Sequence, residues 1–143
     1  MHPQKGRILG IDYGSKRVGV AESDPLRVIA QGVGTFENDA HLLSRLQEVI
    51  REHEVALVVV GMPYAADGGV GAKGKEVEEF IGKLRPLANV PIDTWDESYS
   101  SVLAHQAFVT GGMKRKKRQE KRRVDEMAAR LMLQEYLENQ NHR

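Results

Sequence analysis

The longest unbroken apolar run in the chain, Val55-Ala56-Leu57-Val58-Val59-Val60, is six residues long and stops at Gly61. It lacks the alternation of a half-solvated strand, so it suits a central parallel strand covered on both faces. The segments around it must then supply the cover. Arg7 to Ile11 and Arg17 to Ser23 read as two strands joined by a turn at Asp12, and Asp24-Pro25 turns the chain into a third strand from about Val28 to Thr35. The period then changes: Asn38 or Asp39 can cap a helix with Leu42, Leu46, Val49, Ile50 and His53 on one face. A second helix carries Val77, Phe80, Ile81, Leu84 and Ala88, with Arg85-Pro86 threatening its last turn. Val90 to Trp95 is another strand, Ser100 or Ser101 starts a short helix through Phe108, and a last helix runs from Val124 to about Glu138. The order βββαβαβαα predicts an α/β fold. Its five-stranded mixed sheet would combine a three-stranded antiparallel meander with two parallel strands, flanked by helices. No repeat or linker interrupts residues 1–143, so a single domain is expected.

Residue types narrow the chemistry. There is no cysteine, which excludes disulfides, thiolate zinc sites and cysteine nucleophiles. The five histidines, His2, His41, His53, His105 and His142, are scattered without ligand-like pairing. Any metal would therefore be held by carboxylate oxygen, which favours Mg²⁺ or Mn²⁺ over Zn²⁺. Nothing resembles a signal peptide or a membrane span, and a cytoplasmic protein is expected.

Three acids fall at equivalent places. Asp12 ends the first strand in a glycine-flanked turn, Glu97 follows the last strand, and Asp125 opens the final helix. The carboxyl ends of neighbouring parallel strands converge at one edge of an open sheet, where ligands bind, and a helix across that edge can add a third group. Three carboxylates repel one another unless cations sit among them; two divalent ions roughly 3.5–4 Å apart would bridge them and clamp a phosphodiester. Gly14 leaves room for an anion, Gly19 lets the returning strand pack closely, and Lys16 and Arg17 stand within a few residues of Asp12. The alternatives are structural: Asp12 as a turn residue bonding its own backbone, and Asp125 as a first-turn acid favoured by the helix dipole.

The net charge of +1 conceals a segregation. Lys114 to Arg123 holds eight basic residues and one acidic, leaving 13 basic against 19 acidic elsewhere. Lys114, Arg115, Lys116, Lys117, Arg118, Lys121, Arg122 and Arg123 could attract a phosphodiester backbone without reading sequence, or form a solvated charged loop. Gly69-Val70-Gly71-Ala72-Lys73-Gly74 satisfies GxGxxG, and extended to Lys75 it satisfies GxxxxGK. Both nucleotide motifs need their glycines directly after the strand, whereas seven residues including Pro63 separate Gly61 from Gly69. A glycine-rich loop lining a nucleic-acid groove, with Lys73 and Lys75 touching backbone, fits better.

Four stretches carry a family resemblance: Ile11 to Val20, Val60-Gly61-Met62-Pro63 with Asp67-Gly68, Trp95-Asp96-Glu97-Ser98, and Arg123 to Leu137. Together they resemble the YqgF/RuvX family of bacterial RNase H-like nucleases, from about Arg7 to Leu137. The resemblance implies an RNase H-like fold and a divalent-metal nuclease whose acidic positions fall on Asp12, Glu97 and Asp125. It implies a role in maturing the 5′ end of pre-16S rRNA, with kinship to Holliday junction resolvases, so rRNA precursor and branched DNA are both candidate partners. One departure stands out: where the family usually has arginine after the Asp-Glu pair, this chain has Ser98, so Lys16 or Arg17 would have to compensate. The Asp12-Gly14 turn also resembles the phosphate-1 loop of actin-like ATPases, but those need two such domains. A nucleic-acid-binding module without chemistry is the remaining alternative. No segment gives a convincing dimer interface, and the oligomeric state stays open.

Overall fold

In the computed structural model of the protein, residues 6–64, 68–96 and 117–141 are described, those at 117–121 by backbone alone. The elements are β1 (Arg7–Asp12), β2 (Arg17–Ser23), β3 (Ala30–Glu37), α1 (Leu42–Glu52), β4 (Val55–Met62), α2 (Ala72–Ala88), β5 (Ile92–Asp96) and α3 (Lys117–Asn141). The strands form one sheet in the order β3-β2-β1-β4-β5. β1 pairs antiparallel with β2 and β2 with β3, whereas β1 pairs parallel with β4 and β4 with β5. The expected mixed sheet is therefore present, with β1 in the middle and β4 an interior strand parallel to both its neighbours.

Strand alternation gives the sheet two apolar faces. Leu9, Ile11, Val18, Val20, Val58 and Val60 point to one core, which α1 covers with Leu42, Leu46 and Ile50 and α2 with Val77, Phe80, Ile81 and Leu84. Ile8, Ala21, Ala30 and Val59 point the other way, beneath Ala129, Met132, Leu133, Tyr136 and Leu137 of α3. The β4 run is apolar throughout because it is sandwiched between these layers.

Under α3 the sheet is built of small residues. Gly10 pairs with Ala21 and Ala21 with Gly32, forming a row across three strands, and Ser23 pairs with Ala30 in the row toward one end. A Cβ built at Gly10 would press on Leu133, and one at Gly32 would run into the Glu126 carboxylate. Such a trough lets the helix lie close to the backbone, so positions along it are set to within a fraction of a side chain.

Two helix starts differ from expectation. α3 begins at Lys117 rather than Val124, so the second half of the basic run is helix and not loop; Arg, Lys, Gln and Glu propagate a helix well and no Gly or Pro interrupts them. α2 continues through Pro86 to Ala88 and ends at Asn89 in the left-handed region. Pro86 withholds a donor from the Gly82 carbonyl, but only two helical residues follow it, so the loss is confined to the end of the helix. α1 starts at Leu42 with His41 as an N-cap that makes no side-chain bond. Neither Asn38 nor Asp39 caps it: Asp39 lies two residues ahead of the N-cap and its side chain accepts the His41 N–H at 2.9 Å. The short helix expected near Ser100–Phe108 lies outside the described residues.

Candidate active site

Asp12 is the last residue of β1 and half-buried. Counting from Leu9 and Ile11 in the α1/α2 core, alternation turns Asp12 to the α3 face. Its cross-strand partner is Gly19, and a Cβ built on Gly19 would collide with the main-chain carbonyl of Asp125. The peptide of Asp125 therefore rests on the strand position beside Asp12. The absence of a side chain at Gly19 is what permits this approach, a role the sequence suggested only as close strand packing.

Arg17, two residues before Gly19, sends its guanidinium to Asp125, Nε to Oδ2 3.1 Å, with side chains 23% and 28% exposed. Arg17, offered by the sequence as a phosphate contact and as a stand-in for the missing family arginine, bonds a carboxylate here through its Nε. The pair is separated by 108 residues, which is why no local pattern revealed it. The turn between β1 and β2 is pinned from outside by Asn38, whose Nδ2 donates to the Gly14 carbonyl at 2.8 Å and whose N–H donates to the Lys16 carbonyl at 2.9 Å. Asn38 is thus a scaffold for the Asp12 turn instead of a helix cap. Gly14 packs so closely on the Arg17 carbonyl that any side chain there would clash.

From the other side, β5 ends at Asp96, paired with Met62 and thus on the α1/α2 face. Trp95, paired with Gly61, faces α3 and meets Tyr136 edge-to-face at 5.6 Å. Glu97 and Ser98 lie outside the described residues.

The basic candidates separate. Lys16 is exposed at the turn, and Lys73 and Lys75 are exposed in the first turn of α2. Lys114, Arg115 and Lys116 lie outside the described residues; Lys117, Arg118 and Lys121 are on α3, their side chains undescribed. Arg122 is held by Glu37 at 2.6 Å, its carbonyl accepts the Thr35 hydroxyl at 2.7 Å, and Arg123 is exposed. Arg122 thus fastens the helix to β3. The glycine-rich run does not follow β4 directly: Tyr64 and Val70 form an antiparallel bridge first, Gly71 precedes α2, and Gly74 is buried in its first turn. That geometry removes both nucleotide-motif readings.

Asp12 and Asp125 offer hard oxygen ligands from two elements, and among the described residues the Asp12 carboxylate has no hydrogen-bond or ion-pair partner. Carboxylate oxygens of this kind suit Mg²⁺ or Mn²⁺, and the Asp125 peptide over Gly19 puts both acids on the same face of the sheet.

The family model described as Holliday junction resolvase, RuvX, matches residues 6–139. A relative in Parabacteroides distasonis named "Putative pre-16S rRNA nuclease" is 41% identical over 138 residues, spanning 96% of this chain and 98% of that one. One of the same name in Desulforamulus reducens is 41% identical over 135 residues, 93% and 97% of the two chains. Among solved structures, Thermus thermophilus RuvC in complex with a Holliday junction substrate superposes with a TM-score of 0.57 at 17% identity, over 95% of this chain and 96% of that one. The Fowlpox virus resolvase superposes with a TM-score of 0.53 at 12% identity, over 94% and 98%. At these identities the superpositions speak for the fold, which is RNase H-like. With a matching family model over nearly its whole length and relatives at about 40% identity, this chain belongs to the RuvX family.

Proposed function

We propose that the protein is a divalent-metal-dependent endonuclease of structured nucleic acid that matures the 5′ end of pre-16S rRNA. The observation that carries this reading is the seating of the Asp125 peptide on Gly19, cross-strand partner of Asp12, which sets two carboxylates from distant parts of the chain on one face. The relatives' names support nuclease chemistry and an rRNA precursor as substrate.

Asp12 and Asp125 would hold the cations, with Glu97 as third ligand. If β5's alternation runs one residue beyond Asp96, Glu97 falls on the face of Trp95 and Asp12. Two Mg²⁺ or Mn²⁺ ions bound there would acidify a water and stabilise the leaving oxygen of a phosphodiester. Arg17 keeps Asp125 turned to the site, Asn38 fixes the turn that carries Asp12, and Lys16, Lys73, Lys75 and the cations of the Lys114–Arg123 segment other than Arg122 would position backbone phosphates.

Asp12→Asn should abolish cleavage while leaving fold and nucleic-acid binding nearly intact. A panel of structured RNA, single-stranded RNA and four-way DNA junctions with Mg²⁺ or Mn²⁺ tests this, with Asp96→Asn as control for Glu97→Gln. Cleavage by Asp12→Asn at the wild-type rate would refute the site, and equal damage from the two β5 variants would refute the face assignment. The family's description favours a second reading, branched DNA as substrate. Four-way junctions cut in preference to RNA would establish that one, and binding without any cleavage would leave a module that has lost its chemistry.

A further inference from the structure

On the α1/α2 side of the Asp12 turn lies a cavity of about 490 Å³ that the catalytic reading does not use. Its volume falls within the roughly 300–1,000 Å³ of small-molecule sites. Tyr13 forms part of its lining, against Phe80 with ring centroids 4.6 Å apart and planes at 31°. Along α2, Glu76, Glu79, Phe80 and Lys83 stand at i, i+3, i+4 and i+7, one helical face turned to the opening, and Asp39 closes the opposite side. Asp39 is engaged by Arg45 at 3.5 Å. Among the described residues, Glu76 and Glu79 have no such partner.

We propose that this cavity receives one unpaired nucleobase of the bound strand, adjacent to the cleaved phosphate, and prefers bases that carry an exocyclic amine. The inference rests on the nuclease reading and adds a specificity pocket to it. Proximity comes from the chain itself: Tyr13 directly follows Asp12 and faces the opposite side of the sheet, so a strand crossing the turn places a phosphate near Asp12 and a neighbouring base over Tyr13. Exposed Lys16 at the same turn can meet the intervening phosphate. Electrostatics decide what enters. With Asp39 paired to Arg45, two glutamates against one lysine still leave the opening negative, so the phosphate backbone stays outside while the uncharged base, with its N–H donors, goes in. Aromatic side chains supply stacking that any base satisfies, and carboxylates accept from amines, which cytosine has and uracil lacks.

Cytosine and uracil have nearly the same size, so single-stranded oligocytidylate and oligouridylate dodecamers isolate the amine. Their dissociation constants are measured on the Asp12→Asn protein by fluorescence anisotropy without divalent metal, so that cleavage plays no part. The expectation is about tenfold tighter binding of oligocytidylate, a ratio that falls to near unity in the added Glu76→Ala/Glu79→Ala variant, whose changes are on the surface and leave the core intact. Tyr13→Leu should weaken both dodecamers by about tenfold because it removes the stacking ring, with circular dichroism checking its fold. Equal affinity for the two dodecamers in the parent protein overturns the proposal, as does a preference that survives loss of both glutamates. Because the readout is a binding ratio, it stands or falls independently of cleavage: loss of the ratio with Asp12-dependent cleavage retained would sink the pocket alone.

Discussion

Asp24 shows what one carboxylate does when several backbone donors converge on it. Its Oδ1 accepts the N–H groups of Val28 and Ile29, each at 2.8 Å, and its Oδ2 that of Leu26 at 3.2 Å. This closes the loop between β2 and β3 and lets Arg27 adopt its positive φ of 61°. Burial pushes the Asp24 carboxyl up, but the bonds from Ile29, Val28, its own backbone and Leu26 together hold it below the usual 3.8. A carboxyl lowered by folding stabilises the native state at any pH above the unfolded value. That contribution is lost as pH falls through the folded value, where the native state also takes up the proton. Asp24→Asn should therefore lower stability at pH 7 by about 1 kcal/mol at most, given the loop's exposure to solvent, or about 3 °C in Tm. Thermal unfolding of both proteins from pH 7 into the acid range checks this: the gap should narrow as pH falls below the unfolded value, and a pH-independent gap would show that the charge is irrelevant. The turn at Asp24-Pro25 was legible in the sequence because aspartate before proline is local turn chemistry. The ion pair of Arg17 with Asp125 was not, because its members are distant in the chain and only the packing of α3 brings them together.

At the scale of elements, the glycines under α3 set the position of Asp125. Gly19→Ala puts a methyl where the Asp125 carbonyl stands, and a backbone atom cannot swing aside as a side-chain tip can. The first turns of the described helix must lift, which should cost about 1–3 kcal/mol and reduce cleavage beyond what the fall in stability explains. Gly82→Ala is the matched control, since its Cβ meets nothing within 4 Å on the exposed side of α2. It should raise stability by roughly 0.5–1 kcal/mol with activity unchanged. Unfolding and cleavage measured together on both variants separate the effects; a Gly19→Ala enzyme with normal turnover would mean that Asp125 needs no such placement. Most elements could be read from periodicity because each shows one clear apolar face: Leu42, Leu46 and Ile50 in α1, Val77, Phe80, Ile81 and Leu84 in α2. The start of α3 was not readable, because Lys117 to Arg123 contains no apolar residue and periodicity has nothing to mark there. The trough of Gly10, Ala21 and Gly32 was equally hidden, although the residues were in view, because their alignment exists only once strand register is fixed.

Over the whole molecule, charge is divided between an acidic body and one basic segment, and the division makes binding separable from chemistry. The described part of that segment begins α3, the helix that also carries Asp125, so a strand drawn to these cations is delivered to the carboxylate edge of the sheet. Not every cation in the run is available: Arg122 is spent on Glu37 and ties α3 to the edge strand β3. Neutralising Lys117, Arg118, Lys121 and Arg123 to glutamine should therefore weaken nucleic-acid binding without unseating the helix, whereas Arg122→Gln should loosen the helix more than it weakens binding. For every single-strand phosphate that is no longer neutralised, the plot of log affinity against log salt should flatten by up to about 0.7. Binding titrations of the fourfold variant in the Asp12→Asn background, across a range of salt, measure that slope directly. A fall in slope with thermal stability preserved assigns the segment to backbone attraction, and an unchanged slope reduces it to a solvated face. The Arg122→Gln protein then distinguishes charge from architecture, because a helix end released from β3 would lower Tm while leaving the slope nearly where it was.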